Sequence, residues 1–325
     1  MAELSAADIA DLEALCPDGV KQNVDLGTLS RWRIGGRADL TLQPASVHEL
    51  AALMRWFRAR GVTPVTIGLT TNLLFDDSGL RVPCVHIGHR MSQVSVEGSN
   101  VNAQAGVWVP GLARTLMQNG LGGLEHICGI PGTLGGLICM NGGSQRKGIG
   151  TQVTTVESVT RDGQILRTKG EDCGFAYRQS LFRSNGEIIT GCTLHLTPRE
   201  SSEIRSEMLQ ILSSRRKKFP KELPNCGSVF KSNPAMYADI GPPGEAIERL
   251  GFKGMHEGGA QISPMHANFI VNNGGARAGD VVRLITRIRD AVEETTGYRM
   301  EAEACYVAPD GTITPADSIP PDALH

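Results

Sequence analysis

Val65-Thr-Ile-Gly-Leu-Thr-Thr-Asn-Leu-Leu74 and, further along, Gly129-Ile-Pro-Gly-Thr-Leu-Gly-Gly136 are the two stretches on which the reading of this chain turns. In the first, a β-branched run passes straight into Gly68. This predicts a strand followed by a loop whose successive backbone N–H groups, with the hydroxyls of Thr70 and Thr71, suit an anionic pyrophosphate. The second runs on to Cys139-Met-Asn-Gly-Gly143 and is dense in glycine, so that a flat or extended ligand can lie against the main chain. Either loop alone reads equally well as a tight turn. Two of them in neighbouring units favour one shared ligand. No G-x-G-x-x-G pattern occurs, so a Rossmann-type dinucleotide fold is poorly supported.

Outward from these loops, the pattern of apolar residues predicts a small α/β unit and then a β-rich one. Ser46-Val-His-Glu49 has the form of a capping box. Val47, Leu50, Met54 and Phe57 follow it at helical spacing, and Gly61 ends the helix. Strands are expected over 62–67 and 82–87. Hairpins are expected over 93–97 with 101–105, and over 153–159 with 165–168 about Asp162-Gly163. Helices are expected over 110–119, 202–216 and 280–296, and strands over 187–196 and 299–307. Pro220 and Pro224 mark a linker, and the last dozen residues read as a frayed tail. The expected divisions are an N-terminal extension at 1–24, units at 25–90, 91–200 and 201–310, and a tail at 311–325.

At 325 residues, 40% hydrophobic and 20% charged, the chain has the material for two or three compact units. Its net charge of -2 gives no reason to expect nucleic acid as a partner. Residues 1–20 read as a short acidic surface helix without a secretory signal, and no apolar run is long enough for a membrane span. The eight cysteines form no C-x-x-C pair, so no metal site is expected. They read as reduced thiols of a cytoplasmic protein, mostly small core residues.

Several polar residues stand out as chemistry. Ser228 and Lys231 have the S-x-x-K spacing of penicillin-recognising enzymes, but the companion motifs are missing and that reading fails. A serine there can still donate a proton if a cation such as Lys231 or Lys218 stabilises its alkoxide. Glu301 and Glu303 alternate on the expected last strand and so share one face. Arg178 can hold a carboxylate bidentately. The cationic run 215–218 can attract a diphosphate, while His126 and His266 read as hydrogen-bonded structural histidines. Each position has a plain alternative in a surface turn, a solvated face or a helix end.

The ordered set is more specific than its parts. Trp32-Arg-Ile-Gly-Gly-Arg-Ala-Asp39, Thr71-Asn-Leu-Leu74, Gly123-Leu-Glu125, Gly129-Ile-Pro-Gly132, Met140-Asn-Gly142, Tyr177-Arg178, Gly227-Ser-Val-Phe-Lys231, Gly258-Gly-Ala-Gln-Ile-Ser263 and His266-Ala-Asn-Phe-Ile-Val-Asn272 follow one another from Trp32 to Val307. In that order and spacing they resemble the UDP-N-acetylenolpyruvoylglucosamine reductase family, in its compact subtype. The resemblance implies an α+β chain with a vanillyl-alcohol-oxidase/PCMH-type FAD-binding fold of two α/β subdomains and a C-terminal α/β substrate-binding domain. It implies noncovalent FAD, NADPH as co-substrate, and reduction of an enolpyruvyl sugar nucleotide in peptidoglycan precursor synthesis. Gly68, Thr70, Thr71, Asn72, Leu73, Gly129, Gly132, Gly135 and Asn141 would then meet the cofactor. Arg178 and Glu303 would stabilise negative charge developing on the substrate carboxylate, and Ser228 would protonate the adjacent carbon. A bare carboxylate would oppose that charge, so Glu303 is expected to be protonated or hydrogen-bonded. Tyr177, Lys218, Lys231, Gln261 and His266 would hold the substrate.

The chain departs from the family pattern in four places. Leu69-Thr70-Thr71 replaces small residues of the pyrophosphate loop, Cys139 stands for a tyrosine, Cys305 for an arginine, and Ser232 is inserted before Asn233-Pro234. Two other readings therefore remain: a flavin-dependent relative acting on another enol or α,β-unsaturated acid, and a non-catalytic flavin-binding module.

Overall fold

The computed structural model describes residues 4–324. The chain divides into two compact units, each assembled from separated segments. The first comprises Met1–Gln22, Leu40–Leu69 and Val82–Arg215; the second comprises Asn23–Asp39, Thr70–Arg81 and Arg216–His325.

In the first unit, short parallel strands carry the α/β part. Thr41 and Leu42 pair with Cys84 and Val85, and Val65, Thr66 and Ile67 pair with Cys84, Val85 and His86. Helix Val47–Ala59 buries Leu50, Leu53, Met54 and Phe57 at the spacing read from sequence. The Ser46 hydroxyl accepts the Glu49 N–H at 3.1 Å, but the Glu49 carboxylate accepts from Ala45 N, so only half of the capping box forms. The strand expected over 62–67 is confined to Val65–Ile67. Val62 N–H returns to Phe57 O to close the helix, and Pro64 has no donor to give a ladder. Ser5 and Asp8 cap helix Ala6–Leu15 reciprocally. This helix is more than a surface feature: Leu12 is fully buried, and Arg60 pairs with Asp8 and Asp11 while lying 3.8 Å from the centre of the Trp56 ring.

The β-rich part is one five-stranded antiparallel sheet in the order Ile165–Lys169, Val153–Val159, Ile188–His195, Asn100–Gln104, Val94–Glu97. Both hairpins read from sequence are present, with Val96 opposite Val101 and Ile165 opposite Val159. Helix Val109–Gln118 buries Val109, Leu112, Ala113 and Leu116. Cys84 and Cys192 are buried core residues, and burial pushes both thiols up to about 12.

The second unit is built on helix Ala278–Thr296. Val281, Leu284, Ile285, Ile288 and Val292 fill one face, Asp77 accepts the Ala278 N–H at 2.9 Å, and Gly297 ends it at φ 75°. Trp32 is fully buried in this core; its indole N–H donates to Ile270 O at 2.7 Å, and the Asn272 amide donates to Trp32 O at 2.9 Å. Two sequence expectations are corrected here. The last strand covers only Cys305–Val307, because residues 301–303 instead meet 229–231 in a short antiparallel contact. The tail is not frayed: Ile313–Pro315 pairs with Cys305–Val307, and Ala316 is fully buried with its N–H on Ala304 O.

Candidate active site

In the first unit, Arg178 sits in a tight turn. Ala176 and Gln179 exchange two backbone hydrogen bonds of 3.1 Å, leaving Tyr177 and Arg178 as the two residues of the turn. Arg178 has φ 54°, in the left-handed region that a long L side chain seldom adopts. Tyr177 is exposed beside it, with the Arg178 guanidinium 5.7 Å from the ring centre. Asn141 is expected to touch cofactor, but its side chain is used within the protein instead: the amide donates to Ala176 O at 2.8 Å and its oxygen accepts Gly150 N–H at 2.9 Å.

The glycine-rich loop of the same unit leads into helix Leu134–Cys139, which is capped by Thr133. Glycine serves close packing within the protein at three positions here. A Cβ on Gly68 would strike the Thr133 hydroxyl, one on Gly135 would come within 2.9 Å of Ala105 Cβ, and one on Gly129 within 2.6 Å of the Arg215 side chain. The side-chain directions of Gly68, Gly129 and Gly135 are therefore filled by protein. What these residues can offer a flavin is backbone. Upstream, the buried Glu125 carboxylate accepts Gly123 N–H and pairs at 3.0 Å with Arg199, which also holds Glu203 and Glu207.

His126 corrects an expectation. It is buried as anticipated, but neither ring nitrogen has a hydrogen-bond partner among the described residues. Burial pushes its pKa below the usual histidine value, and Lys147 adds to that against Glu125 and Glu207. His86 and His266 are lowered too, again chiefly by burial. A folded-state pKa below the unfolded one means that the unfolded chain binds more protons. The associated stability is complete above the unfolded value of 6.5 and is lost as pH falls through the lowered folded values. The melting temperature should therefore drop between about pH 7.5 and about pH 5.5, and less so in His126→Leu. Equal acid sensitivity of the two proteins in thermal melts would rule His126 out as a contributor.

In the second unit, the loop that opens at Thr70 runs into strand Leu73–Phe75. The Thr70 hydroxyl, expected to face phosphate, donates instead to Leu29 O at 2.8 Å and accepts from Arg31 N. Thr70 is buried with φ 52°, so its contribution to a ligand is its main chain. Within this unit the backbone N–H groups of Thr70 and Thr71 make no hydrogen bond among the described residues. A run of unspent donors around a left-handed residue is the arrangement that binds phosphate oxygens, and it fits the pyrophosphate of FAD.

Ser228 and Glu303 belong to this second unit as well. Asn225 accepts Gly227 N–H at 3.0 Å, and Gly227 turns the chain with φ 90°. On the other side of Ser228, Val229 N donates to Asn268 O, while the buried Asn268 side chain accepts from Phe230 N and donates to Phe230 O. Val229 O then accepts Glu303 N–H at 2.7 Å, which brings Ser228 and Glu303 onto neighbouring backbone. Phe230 and Ala302 point into the core, and Lys231 forms a 2.9 Å ion pair with Glu301. Lys231, one of the two cations expected to serve Ser228, is placed on the exposed Glu301 carboxylate in this structure. Cys305 N donates to Asn72 O, and Cys305 pairs with Leu73 in a parallel ladder. Glu303 and the 70–72 loop therefore both lie just before paired parallel strands. Gln261 donates to Gly254 O, Lys218 is exposed at its helix end, and His266 packs against Phe219 and Phe269 while its Nδ1 accepts Asn268 N–H. Accepting at Nδ1 makes His266 a neutral ring protonated at Nε2.

Comparison with known proteins matches residues 38–169 to a family described as "FAD binding domain", and residues 219–307 to "UDP-N-acetylenolpyruvoylglucosamine reductase, C-terminal domain". UDP-N-acetylenolpyruvoylglucosamine reductase 1 of Corynebacterium glutamicum is 43% identical over 296 residues, covering 91% of this chain and 88% of that one. The chain belongs to the UDP-N-acetylenolpyruvoylglucosamine reductase family. The enzyme of that name from Heliobacterium modesticaldum is 38% identical over 86% of this chain and 88% of its own. The crystal structure of UDP-N-acetylenolpyruvylglucosamine reductase from Thermus caldophilus superposes with a TM-score of 0.75 at 30% identity, covering 88% of this chain and 98% of that one. The family assignment makes the chain an FAD-dependent oxidoreductase with an α+β fold.

Reading the sequence missed the residues that brace the candidate site segments. Asn225 and Asn268 flank Ser228, while Ser180 donates to Cys139 O and Arg183 to Arg178 O. Their only signal was position, since each lies within a few residues of a quoted motif or inside one. Among the described residues no group of acidic, histidine and cysteine side chains is arranged to hold a metal, and no helix is long and apolar enough to cross a membrane.

Proposed function

We propose that this chain reduces the enolpyruvyl group of UDP-N-acetylglucosamine enolpyruvate to give UDP-N-acetylmuramate, with NADPH as the reductant, in the cytoplasm. The observation that carries the reading is the hydrogen bond from Glu303 N–H to Val229 O, which sets Ser228 and Glu303 on adjoining backbone in the same unit as the 70–72 loop. FAD, when bound, supplies the hydride. The main-chain donors of Thr70 and Thr71 would hold its pyrophosphate. Ser228, fixed between the Asn225 and Asn268 contacts, is the proton donor to the carbon next to the one reduced. Arg178 is the cation for the substrate carboxylate as its charge grows, and Glu303 assists as a hydrogen-bonded or neutral acid. Tyr177 and Lys218 are the side chains offered to the sugar diphosphate.

The test is a pair of anaerobic half-reactions followed by flavin absorbance. NADPH should bleach the oxidised flavin band, and the enolpyruvyl sugar nucleotide should then restore it. Bleaching without restoration, where another α,β-unsaturated acid does restore the band, would assign a different substrate. Protein that takes up no FAD would end the cofactor reading.

A further inference from the structure

We infer that Asn141 is a positioning residue for Arg178, holding the left-handed turn from which that guanidinium is presented. The inference rests on the reading of Arg178 as the cation for the substrate carboxylate. All of the geometry lies within the first unit.

A left-handed backbone at Arg178 is unfavourable by itself, so the surrounding contacts must specify it. They come from the segment after helix Leu134–Cys139. Ala176 O, which closes the turn by accepting Gln179 N–H, takes its second hydrogen bond from the Asn141 amide at 2.8 Å. The Asn141 carbonyl oxygen is anchored by Gly150 N–H at 2.9 Å, so the amide bridges two segments and is not left to rotate. Asn141 is itself left-handed, at φ 42°. Gly148 makes room for it: a Cβ there would lie 2.5 Å from the Asn141 oxygen. Two further contacts tie the same turn down. The Ser180 hydroxyl donates to Cys139 O at 2.6 Å, and Arg183 donates to Arg178 O at 2.7 Å. Thr133 caps the start of the helix and Asn141 follows its end. The placement of Arg178 is thereby tied to the helix that the glycine-rich loop begins.

The functional consequence is selective. Removing the Asn141 amide frees the turn and lets the guanidinium shift without deleting it, so the step that needs Arg178 slows while the step that does not is preserved. Asn141→Gly is the informative variant, because glycine accepts the left-handed backbone and deletes only the side-chain bridge. Gly148→Ala is the second. It disturbs the same amide from the opposite side at φ -104°, where alanine is tolerated.

Both variants, assayed as FAD-loaded full-length protein, should reoxidise reduced flavin with the enolpyruvyl sugar nucleotide about 10- to 100-fold more slowly than the parent, the penalty expected for displacement of a reacting group by roughly an ångström. Flavin reduction by NADPH and the affinity for FAD should stay close to parental values. A parallel loss in both half-reactions, or a loss of FAD affinity, would make Asn141 a cofactor contact or a scaffold residue and overturn the inference. So would parental reoxidation in both variants. Arg178→Ala is the control: if it slows reoxidation while the two variants do not, the inference alone fails. If Arg178→Ala reoxidises normally, the proposed role of Arg178 fails first.

Discussion

Ser228→Ala should leave flavin reduction by NADPH nearly unchanged and slow reoxidation by the enolpyruvyl substrate about 10²- to 10⁴-fold, the range for loss of one positioned proton donor. The residue lies between two braces, Gly227 held by Asn225 and Val229 held by Asn268, so the backbone has little reason to move when the hydroxyl is removed. The change is one oxygen atom at a half-buried site. Hydride delivery from NADPH to flavin needs no proton from this side chain, which is why the two half-reactions should separate. Glu303→Gln should show the same asymmetry. Equal losses in both half-reactions of Ser228→Ala, read by stopped-flow absorbance, would remove the serine from the chemistry and leave it a structural part.

Trp32→Ala should destabilise the second unit by about 3–5 kcal/mol, the cost of truncating a large buried aromatic. The indole is fully buried, and its N–H is satisfied by Ile270 O. The variant loses packing and strands a carbonyl whose partner lies far away in sequence. That loss is a large fraction of the stability of an ordinary domain. Hydrogen exchange provides the local readout: amides of strand Ile270–Asn272 should lose protection strongly, while those of Val153–Val159 in the first unit change little. Trp32→Phe should recover most of the packing and fail to recover the hydrogen bond. Unchanged protection at Ile270–Asn272 in the alanine variant would show that Trp32 does not support this strand.

Long periodic segments were legible without coordinates. Val281, Leu284, Ile285, Ile288 and Val292 describe one helical face, and all five are buried on it. Hairpins signalled by Gly98 and by Asp162-Gly163 also formed with the expected pairing. Boundaries were less legible where a short strand borders a proline or a helix end, as at Val62 and Pro64. The run 299–307 misled for a different reason. Alternation of polar and apolar residues is equally compatible with one strand or with two partners in succession, and here residues 301–303 face 229–231 while residues 305–307 face 73–75.

Among the site residues, residue type pointed to chemistry but not to how each atom is used. Thr70 reads as a phosphate-binding hydroxyl until Leu29 O and Arg31 N are seen to consume it. Lys231 reads as a cation for Ser228 or for substrate, and no local pattern shows that Glu301 lies beside it. Glycines at 68, 129 and 135 read as room for a ligand, and their side-chain directions are filled by Thr133, Arg215 and Ala105.

By itself the sequence determined the periodic elements, the family to which the ordered motifs belong, and the residue types available for hydride and proton chemistry. These are properties of short segments and of their order. Only the tertiary structure decided that Asn23–Asp39 and Thr70–Arg81 fold with the C-terminal third, that Trp32 is sealed against Ile270, and which polar atoms are already spent. A hydrogen bond has two ends, and where the second lies far along the chain no local pattern records it. Burial then makes that distant partner obligatory, because an unpaired polar group away from water costs more than the bond contributes.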